Sequence, residues 1–422
     1  MKPSNSSWNT PQSIIDYYSP YQNNALRDGK KLSSEFEIED HYEIIEMVGR
    51  GAYGVVVAAR DKKTGSLLAI KKIQKAFEHK IFAKRTLREL KILRLLNHDN
   101  ILKVSNIVLP ISRLQFNDIY LMTPLVEGDL YSIIKSPQKL EEDHVKFIIY
   151  QILRACKYFH SAKVLHRDLK PRNILISAKC EVTICDFGLA RVMFENESSK
   201  IADNMTDYVA TRWYRAPELL LGNEKYDEKI DLWSVGCILA EMYLRKPFLM
   251  GTDWKNQLFL ILDLLGSPNP EDLDFVENTK AKEFLKNYGT KGENKIQSFF
   301  EESIANPHGI DLLYKMLVFN PKHRISVDEA LAHPYLSELY CPEDEPVTKP
   351  LNSLEFDFEN LPLNKEQMKD LIYEEILLYH FPNFREKYAG MLSSGVGISQ
   401  HVLNNDNKDY VQFEKEDDER VQ

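Results

Sequence analysis

An α+β protein in two parts is predicted: a small β-rich part carrying one helix, then a larger, mainly helical part with a C-terminal extension. Three observations predict it. Short strand-like runs separated by turn signals fill residues 42–73. After Glu127 the pattern changes to long amphipathic helical stretches. Past Pro346 a further helical segment follows, and both ends of the chain are polar.

Residues 1–40 are rich in Ser, Asn and charge, with aromatic interruptions such as Tyr17 and Tyr18, and read as a flexible extension. The first strand-like runs are Tyr42 to Val48, Val55 to Arg60 and Leu67 to Ile73, with Lys63-Thr-Gly65 as one of the turns. A helix is expected around Phe82 to Asn97, and two further strand-like runs end at Leu121-Met122, so the small part covers 42–126. Helical stretches near 143–160, 228–245 and 253–265 fill the large part, 127–345. In the extension, 346–388, Asn364 and Gln367 form a capping box for a helix over 364–380. Met368, Leu371, Ile372, Ile376 and Tyr379 make one face of that helix, and the extension is expected to pack back on the small part. Residues 389–422 read as an acidic disordered tail, since 401–422 hold 7 acids against 3 bases. There are no internal repeats.

Composition narrows the class. A net charge of −9 offers no global basic field for nucleic acid or an anionic membrane. No apolar run approaches the roughly 18–20 residues of a membrane span, and the polar N-terminus lacks a signal-peptide layout. The five cysteines, at 156, 180, 185, 237 and 341, have no Cys-x-x-Cys spacing and read as reduced thiols. A soluble monomer of the cytoplasm and nucleus is the expectation.

The chemistry lies in ordered motifs. Gly49-Arg-Gly51-Ala-Tyr-Gly54 sits between two predicted strands, where glycines let a backbone approach phosphates closely. Alone, such a hairpin is more often only a turn. Ala69-Ile70-Lys71 hardens the reading, because a strand lysine there can reach the α- and β-phosphates of a nucleotide. Glu89, eighteen residues on in the helical Arg85-Thr-Leu-Arg88-Glu-Leu-Lys91, is the natural partner of that ammonium; the plainer reading is a surface ion pair. His166-Arg-Asp168-Leu-Lys170-Pro-Arg-Asn173 supplies a base, a second lysine and an amide at fixed offsets, which suits phosphoryl transfer. Asp168 would accept the proton of a substrate hydroxyl, and Lys170 would neutralise charge on the transferred group. Asn173 and Asp186, of Asp186-Phe-Gly188, would bind Mg²⁺ against the phosphates of ATP. His166 reads as a packed support of the loop. Asp186-Phe-Gly188 and Ala216-Pro-Glu218 bracket Thr206-Asp-Tyr208, two phosphorylatable hydroxyls of the kind that order a segment when phosphate meets arginine.

With these motifs the chain resembles the eukaryotic protein kinases from about Tyr42 to about Tyr379, and among them the mitogen-activated protein kinases of the CMGC group. Thr-Leu-Arg88-Glu-Leu-Lys-Ile-Leu93, Val209-Ala-Thr-Arg-Trp-Tyr-Arg215, Leu262-Asp-Leu-Leu-Gly-Ser-Pro268 and Leu331-Ala-His-Pro-Tyr335 are similar to the extracellular signal-regulated branch. The middle residue of the Thr-x-Tyr site is Asp, where the animal branch usually has Glu.

The resemblance implies the two-lobed eukaryotic protein kinase fold, with an activation loop at 186–218 and a helical insert at about 248–300. It implies a proline-directed serine/threonine kinase of a mitogen-activated cascade, using ATP and Mg²⁺. An upstream dual-specificity MAP kinase kinase would activate it by phosphorylating Thr206 and Tyr208. Phosphate on Thr206 would meet Arg88, Arg167 and Arg191, and phosphate on Tyr208 would meet Arg212 and Arg215. The Pro124 carbonyl and Val126 N–H would hold adenine, with Thr123 as a gatekeeper smaller than the glutamine common in the branch. Val56, Ala69 and Leu175 would sandwich the base, and Asp129 would meet the ribose. Glu343, Asp344 and Glu345, with His144 and Phe147 of an apolar groove, resemble the docking surface for phosphatases and substrates that carry basic motifs; Cys341 stands where many members have aspartate. The Glu218–Arg324 pair and Asp231 are expected to be structural, and Cys185 a buried small hydrophobe.

Two other readings use the same residues. A pseudokinase scaffold would lack at least one of Lys71, Glu89, Asp168, Asn173 and Asp186, all of which are present. A cyclin-dependent-type kinase would carry a cyclin-binding signature in place of Thr-Leu-Arg-Glu-Leu and leaves Thr-x-Tyr unexplained. The run 290–300 departs from the family pattern.

Overall fold

The strand-like runs rich in β-branched and apolar residues near the start of the chain build an antiparallel sheet from β1 (Tyr42–Gly51), β2 (Gly54–Asp61), β3 (Leu67–Ile73), β4 (Asn106–Ile107) and β5 (Ile119–Pro124). Its order is β1-β2-β3-β5-β4, and helix α1 (Lys80–Leu95) lies between β3 and β4 in the chain. The computed structural model describes residues 36–51, 54–113, 116–194, 212–288, 294–300, 306–397 and 399. They fall into two units. One holds the described residues up to Leu95, then Lys103–Leu125 and those from Leu351 on; the other holds Leu96–Leu102 and Val126–Pro350.

In the first unit Val55, Val57, Ala59, Ile70 and Met122 form one apolar layer of the sheet. Phe36 belongs to it, its ring 5.9 Å from that of Tyr120, and Glu37 N–H donates to the Tyr120 hydroxyl at 3.1 Å. Phe36 and, partly, Ile38 therefore pack on this core, although both fall within the flexible extension expected for 1–40. The opposite face is set by the pairs Val56↔Lys71 and Ala69↔Thr123. In α1, Ala83, Leu87, Leu90 and Leu93 are buried, and so are Arg88, Glu89 and Lys91. A helix buried on more than its apolar stripe must give its charges partners, and the chain after Leu351 supplies most of them.

The second unit contains β6 (Gly128–Asp129), β7 (Val164–Leu165), β8 (Ile174–Ile176), β9 (Val182–Ile184) and β10 (Arg191–Val192), arranged as a β6-β8-β9 sheet and a β7-β10 pair. Around them stand α2 (Leu130–Lys135), α3 (Glu142–Ser161), α4 (Pro217–Leu220), α5 (Lys229–Leu244), α6 (Trp254–Leu265), α7 (Thr279–Asn287), α8 (Ile296–Phe300), α9 (Pro307–Met316) and α10 (Val327–Leu331). Helix α5 is buried continuously from Ile230 to Met242, which makes it a central helix rather than the amphipathic one the sequence predicts. Of the run 290–300, residues 290–293 lie outside the described residues; at its end Phe299 and Phe300 pack on Phe248 at 5.6 and 5.9 Å between ring centroids.

After Leu351 the chain forms a 3₁₀ stretch, Ser353–Asn360, then α11 (Lys365–His380) and α12 (Pro382–Ser393) in the first unit. Lys91 Nζ, almost fully buried, reaches Glu355 at 3.1 Å, Glu375 at 3.3 Å and the Tyr388 hydroxyl at 2.8 Å. Tyr388 lies on α12, which crosses the boundary expected at 388, and Ser399 Oγ still donates to Asp357 at 2.8 Å. The start of the expected tail is therefore ordered structure. No helix of the described residues is long and apolar enough to cross a membrane.

Candidate active site

The site residues form two groups, one in each unit. In the first, Val56, Ala69, Lys71 and Thr123 share the face of the sheet opposite the apolar layer. Lys71 Nζ donates to both Glu89 oxygens, at 2.8 and 3.1 Å. The β1-β2 hairpin closes through Gly51↔Gly54. Gly54 has φ 145°, and a Cβ there would stand 1.8 Å from the Lys72 carbonyl oxygen, whereas a Cβ at Gly49 or Gly51 meets nothing within 4 Å. The hairpin needs glycine at 54 for its own geometry and leaves open space at 49 and 51. Gly54→Ala is expected to destabilise this unit by about 1–3 kcal/mol, the strain of a forbidden backbone. Gly49→Ala should leave the thermal midpoint unchanged, and one thermal melt of both variants checks the contrast.

In the second unit the loop after β7 is strained and held. Arg167 and Asp186 are both left-handed, each at φ 65°, the kind of backbone that persists only when its surroundings over-determine it. Asp231, fully buried at the start of α5, accepts the His166 and Arg167 backbone N–H groups at 2.9 Å each. Burial pushes its carboxyl up, yet hydrogen bonds and the nearby imidazoles bring it below the usual carboxylate value. His166 is fully buried, its Nε2 3.1 Å from the Cys185 carbonyl and its ring 4.7 Å from that of Phe187. It packs the loop.

Asp168 sits at the centre. Lys170 Nζ donates to its Oδ2 at 2.5 Å, and Asn173 Nδ2 reaches its carbonyl at 2.9 Å and Oδ2 at 3.2 Å. Burial raises the Asp168 carboxyl above its ordinary value while Lys170 pulls it back. The Cys185 N–H donates to the Asn173 carbonyl at 3.0 Å, which brings Asn173 beside Asp186. With its amide nitrogen used by Asp168, Asn173 offers Oδ1 to a cation, and Asp186 offers a carboxylate. Among the described residues no trio of His, Cys, Asp or Glu forms a protein-only cage. Two hard oxygen ligands of this kind fit Mg²⁺, whose remaining positions go to phosphate and water. Asp129 and Leu175 face each other across β6 and β8. One Asp129 oxygen caps α2 by accepting from Ser132 N–H at 2.7 Å, leaving the other for a ligand.

Three of the five expected phosphate arginines cluster. Burial lowers Arg215, Asp168 opposes this, and the like charges of Arg212 and Arg167 lower it further. Mutually repelling guanidinium groups are a surplus of positive charge that an anion relieves. Arg191 pairs with Leu165 across β10 and β7. Arg88 is different: it is buried, and its Nε and Nη2 donate to the two Glu359 oxygens at 2.5 and 2.8 Å. The expected phosphate ligand is therefore held by a carboxylate of the C-terminal extension, and phosphate reaches it only by displacing Glu359. Thr206 and Tyr208 lie outside the described residues.

The docking residues are sorted by burial. Glu343 and Asp344 are exposed, and the Arg154 Nε donates to the Asp344 carbonyl. Glu345 is a correction: its side chain is wholly buried, accepting from Lys157 Nζ at 3.0 Å and from the Tyr150 hydroxyl at 3.4 Å. It staples α3 to the segment after Cys341 and is closed to a basic partner. His144 lines a groove with Ile133, Leu140, Ile148, Cys180 and Arg245. Ile148 is among the residues lining this groove, and Phe147 is not. These linings come from three distant segments, so no local pattern reveals them.

A model of the protein kinase domain matches residues 42–336. The chain is 47% identical over 347 residues to extracellular signal-regulated kinase 1 of Dictyostelium discoideum, covering 82% of this chain and 64% of that protein. It is 49% identical over 346 residues to mitogen-activated protein kinase 1 of Oryza sativa subsp. japonica, covering 82% of this chain and 84% of that protein. With mitogen-activated protein kinase mpkB of Aspergillus fumigatus it shares 47% identity over 350 residues, 82% of this chain and 97% of that protein. The chain belongs to the protein kinases and, among them, to the mitogen-activated protein kinases, which are serine/threonine protein kinases.

Proposed function

We propose that this chain transfers the ATP γ-phosphate to serine or threonine followed by proline, as a kinase of a mitogen-activated cascade switched on by phosphorylation of Thr206 and Tyr208. The observation that carries the chemistry is the carboxylate of Asp168, held by Lys170 and Asn173. Asp168 accepts the proton of the substrate hydroxyl and aims its oxygen, while Lys170 offsets charge on the transferred group. Lys71, fixed by Glu89, holds the α- and β-phosphates. Asn173 and Asp186 are the residues that would hold Mg²⁺, which supplies charge neutralisation across the phosphates when bound. The backbone of Gly49, Gly51 and Gly54 is assigned to the phosphates, and Val56, Ala69 and Leu175 to adenine. Pro124 and Val126 supply its backbone contacts, Thr123 is the gatekeeper, and Asp129 meets the ribose.

The switch uses Arg167, Arg191, Arg212 and Arg215, with Arg88 recruited at the expense of Glu359. Its partners are an upstream dual-specificity MAP kinase kinase and, through Glu343, Asp344 and the His144 groove, proteins with basic docking motifs, in cytoplasm and nucleus. The test compares Ser-Pro with Ser-Ala peptides, using enzyme with and without phosphate on Thr206 and Tyr208, and Lys71→Ala as blank. Strong Ser-Pro turnover is expected only in the doubly phosphorylated form. Nucleotide binding without turnover in that form would move the reading to a scaffold.

A further inference from the structure

The catalytic loop carries three cations, and two of them are engaged. Arg167 is buried and donates to the Leu189 carbonyl at 2.7 Å and the Tyr226 hydroxyl at 2.6 Å; Lys170 sits on Asp168. Arg172 faces solvent. Among the described residues its guanidinium has no carboxylate or hydrogen-bond partner. Its carbon lies 3.8 Å from the centroid of the Tyr131 ring on α2, and the exposed Lys135, at the end of that helix, brings its ammonium to 5.7 Å from the same ring.

Stacking on an aromatic face holds a planar guanidinium in place without using its N–H donors. Those donors match a carboxylate in a two-pronged fork. An arginine fixed in advance also loses less side-chain freedom when it captures an anion than a mobile one does. The placement gives it something to capture. Arg172 directly precedes Asn173, whose Nδ2 reaches the Asp168 carboxylate at 3.2 Å, the group to which a phosphoacceptor hydroxyl must come. An extended substrate advances about 3.3 Å per residue, so side chains within a few residues of the acceptor pass this cation pair.

We propose that Arg172, held over the Tyr131 ring with Lys135 beside it, selects protein substrates that carry an acidic side chain close to the phosphoacceptor. This deepens the kinase reading above and rests on it. The test uses doubly phosphorylated enzyme and Ser-Pro peptides with Glu, Ala or Lys at each of three positions on either side of the serine. The readout is the ratio of kcat/KM for the Glu peptide to that for the Lys peptide. The native enzyme should show a ratio of about three to ten at one or more positions, as expected for a partly exposed charge pair. Arg172→Ala should bring that ratio near one, Arg172→Glu should invert it, and Arg172→Lys should keep part of it. A native ratio near one, or a ratio unchanged in Arg172→Glu, overturns the proposal. Turnover of the Ala-flanked peptide reports separately on the kinase reading. Should no peptide be turned over, fluorescence-anisotropy affinities of the same Glu and Lys peptides for the native and Arg172→Glu proteins decide the matter.

Discussion

Asp168→Asn is expected to lower kcat by roughly 10²–10⁴-fold, the range general-base contributions span, while leaving the fold intact. The carboxylate is pinned by Lys170 Nζ at 2.5 Å and Asn173 Nδ2 at 3.2 Å, so its loss removes a positioned acceptor and little packing. The pH dependence gives an independent check. Burial raises Asp168 above its ordinary value and Lys170 opposes that rise. The base works only when ionised, so activity falls as pH drops through the raised value, above the usual aspartate range. Lys170→Ala removes the opposing cation and should move this acid limb to still higher pH; Asp168→Asn should erase it. Stability has the opposite sign. A carboxyl whose folded value is raised loses stability as pH increases through the unfolded and then the folded value. At neutral pH Asp168→Asn should therefore melt no lower than the native protein. A melting temperature that falls together with activity would assign Asp168 a structural role instead.

Arg324→Ala is expected to be the most damaging single change to the fold of the second unit. Arg324 Nη1 and Nη2 donate to the Glu218 oxygens at 2.7 and 3.0 Å, with both side chains essentially without exposure. The same guanidinium donates to the Lys229 carbonyl at 2.8 Å and the Val318 carbonyl at 3.1 Å, and it lies over the Trp233 ring. Removing it leaves Glu218 buried and unpaired at the start of α4, which costs about 3–5 kcal/mol. For a unit of this size that is a fall of roughly 6–20 °C in thermal midpoint. The double variant Glu218→Gln/Arg324→Met removes both charges and should lose less than the sum of the two singles. Additive losses, or a shift under 2 °C for Arg324→Ala, would show that solvent reaches the pair.

What the sequence determined by itself was whatever depends on short spacings. Short strand-like runs rich in β-branched and apolar residues, set apart by turn signals such as Lys63-Thr-Gly65, placed β1 to β3. The offsets within His166–Asn173 and Ala69–Lys71 placed the catalytic groups, because a few residues of fixed backbone geometry set their separations. Asn364 and Gln367 marked the start of α11, whose first residue is Lys365, through a local hydrogen-bond exchange.

Tertiary structure alone decided which charges are free. Glu343, Asp344 and Glu345 are one acidic run in the sequence, yet only Glu345 is buried, by Lys157 188 residues away. Arg88 looks like a phosphate ligand until Glu359, 271 residues on, is found holding it. Tyr388 belongs to an apparent tail until it meets Lys91 across 297 residues. The physical reason is common to all three. Burying a charge is favourable only with a partner in place, and that partner is set by packing over distances no local pattern encodes.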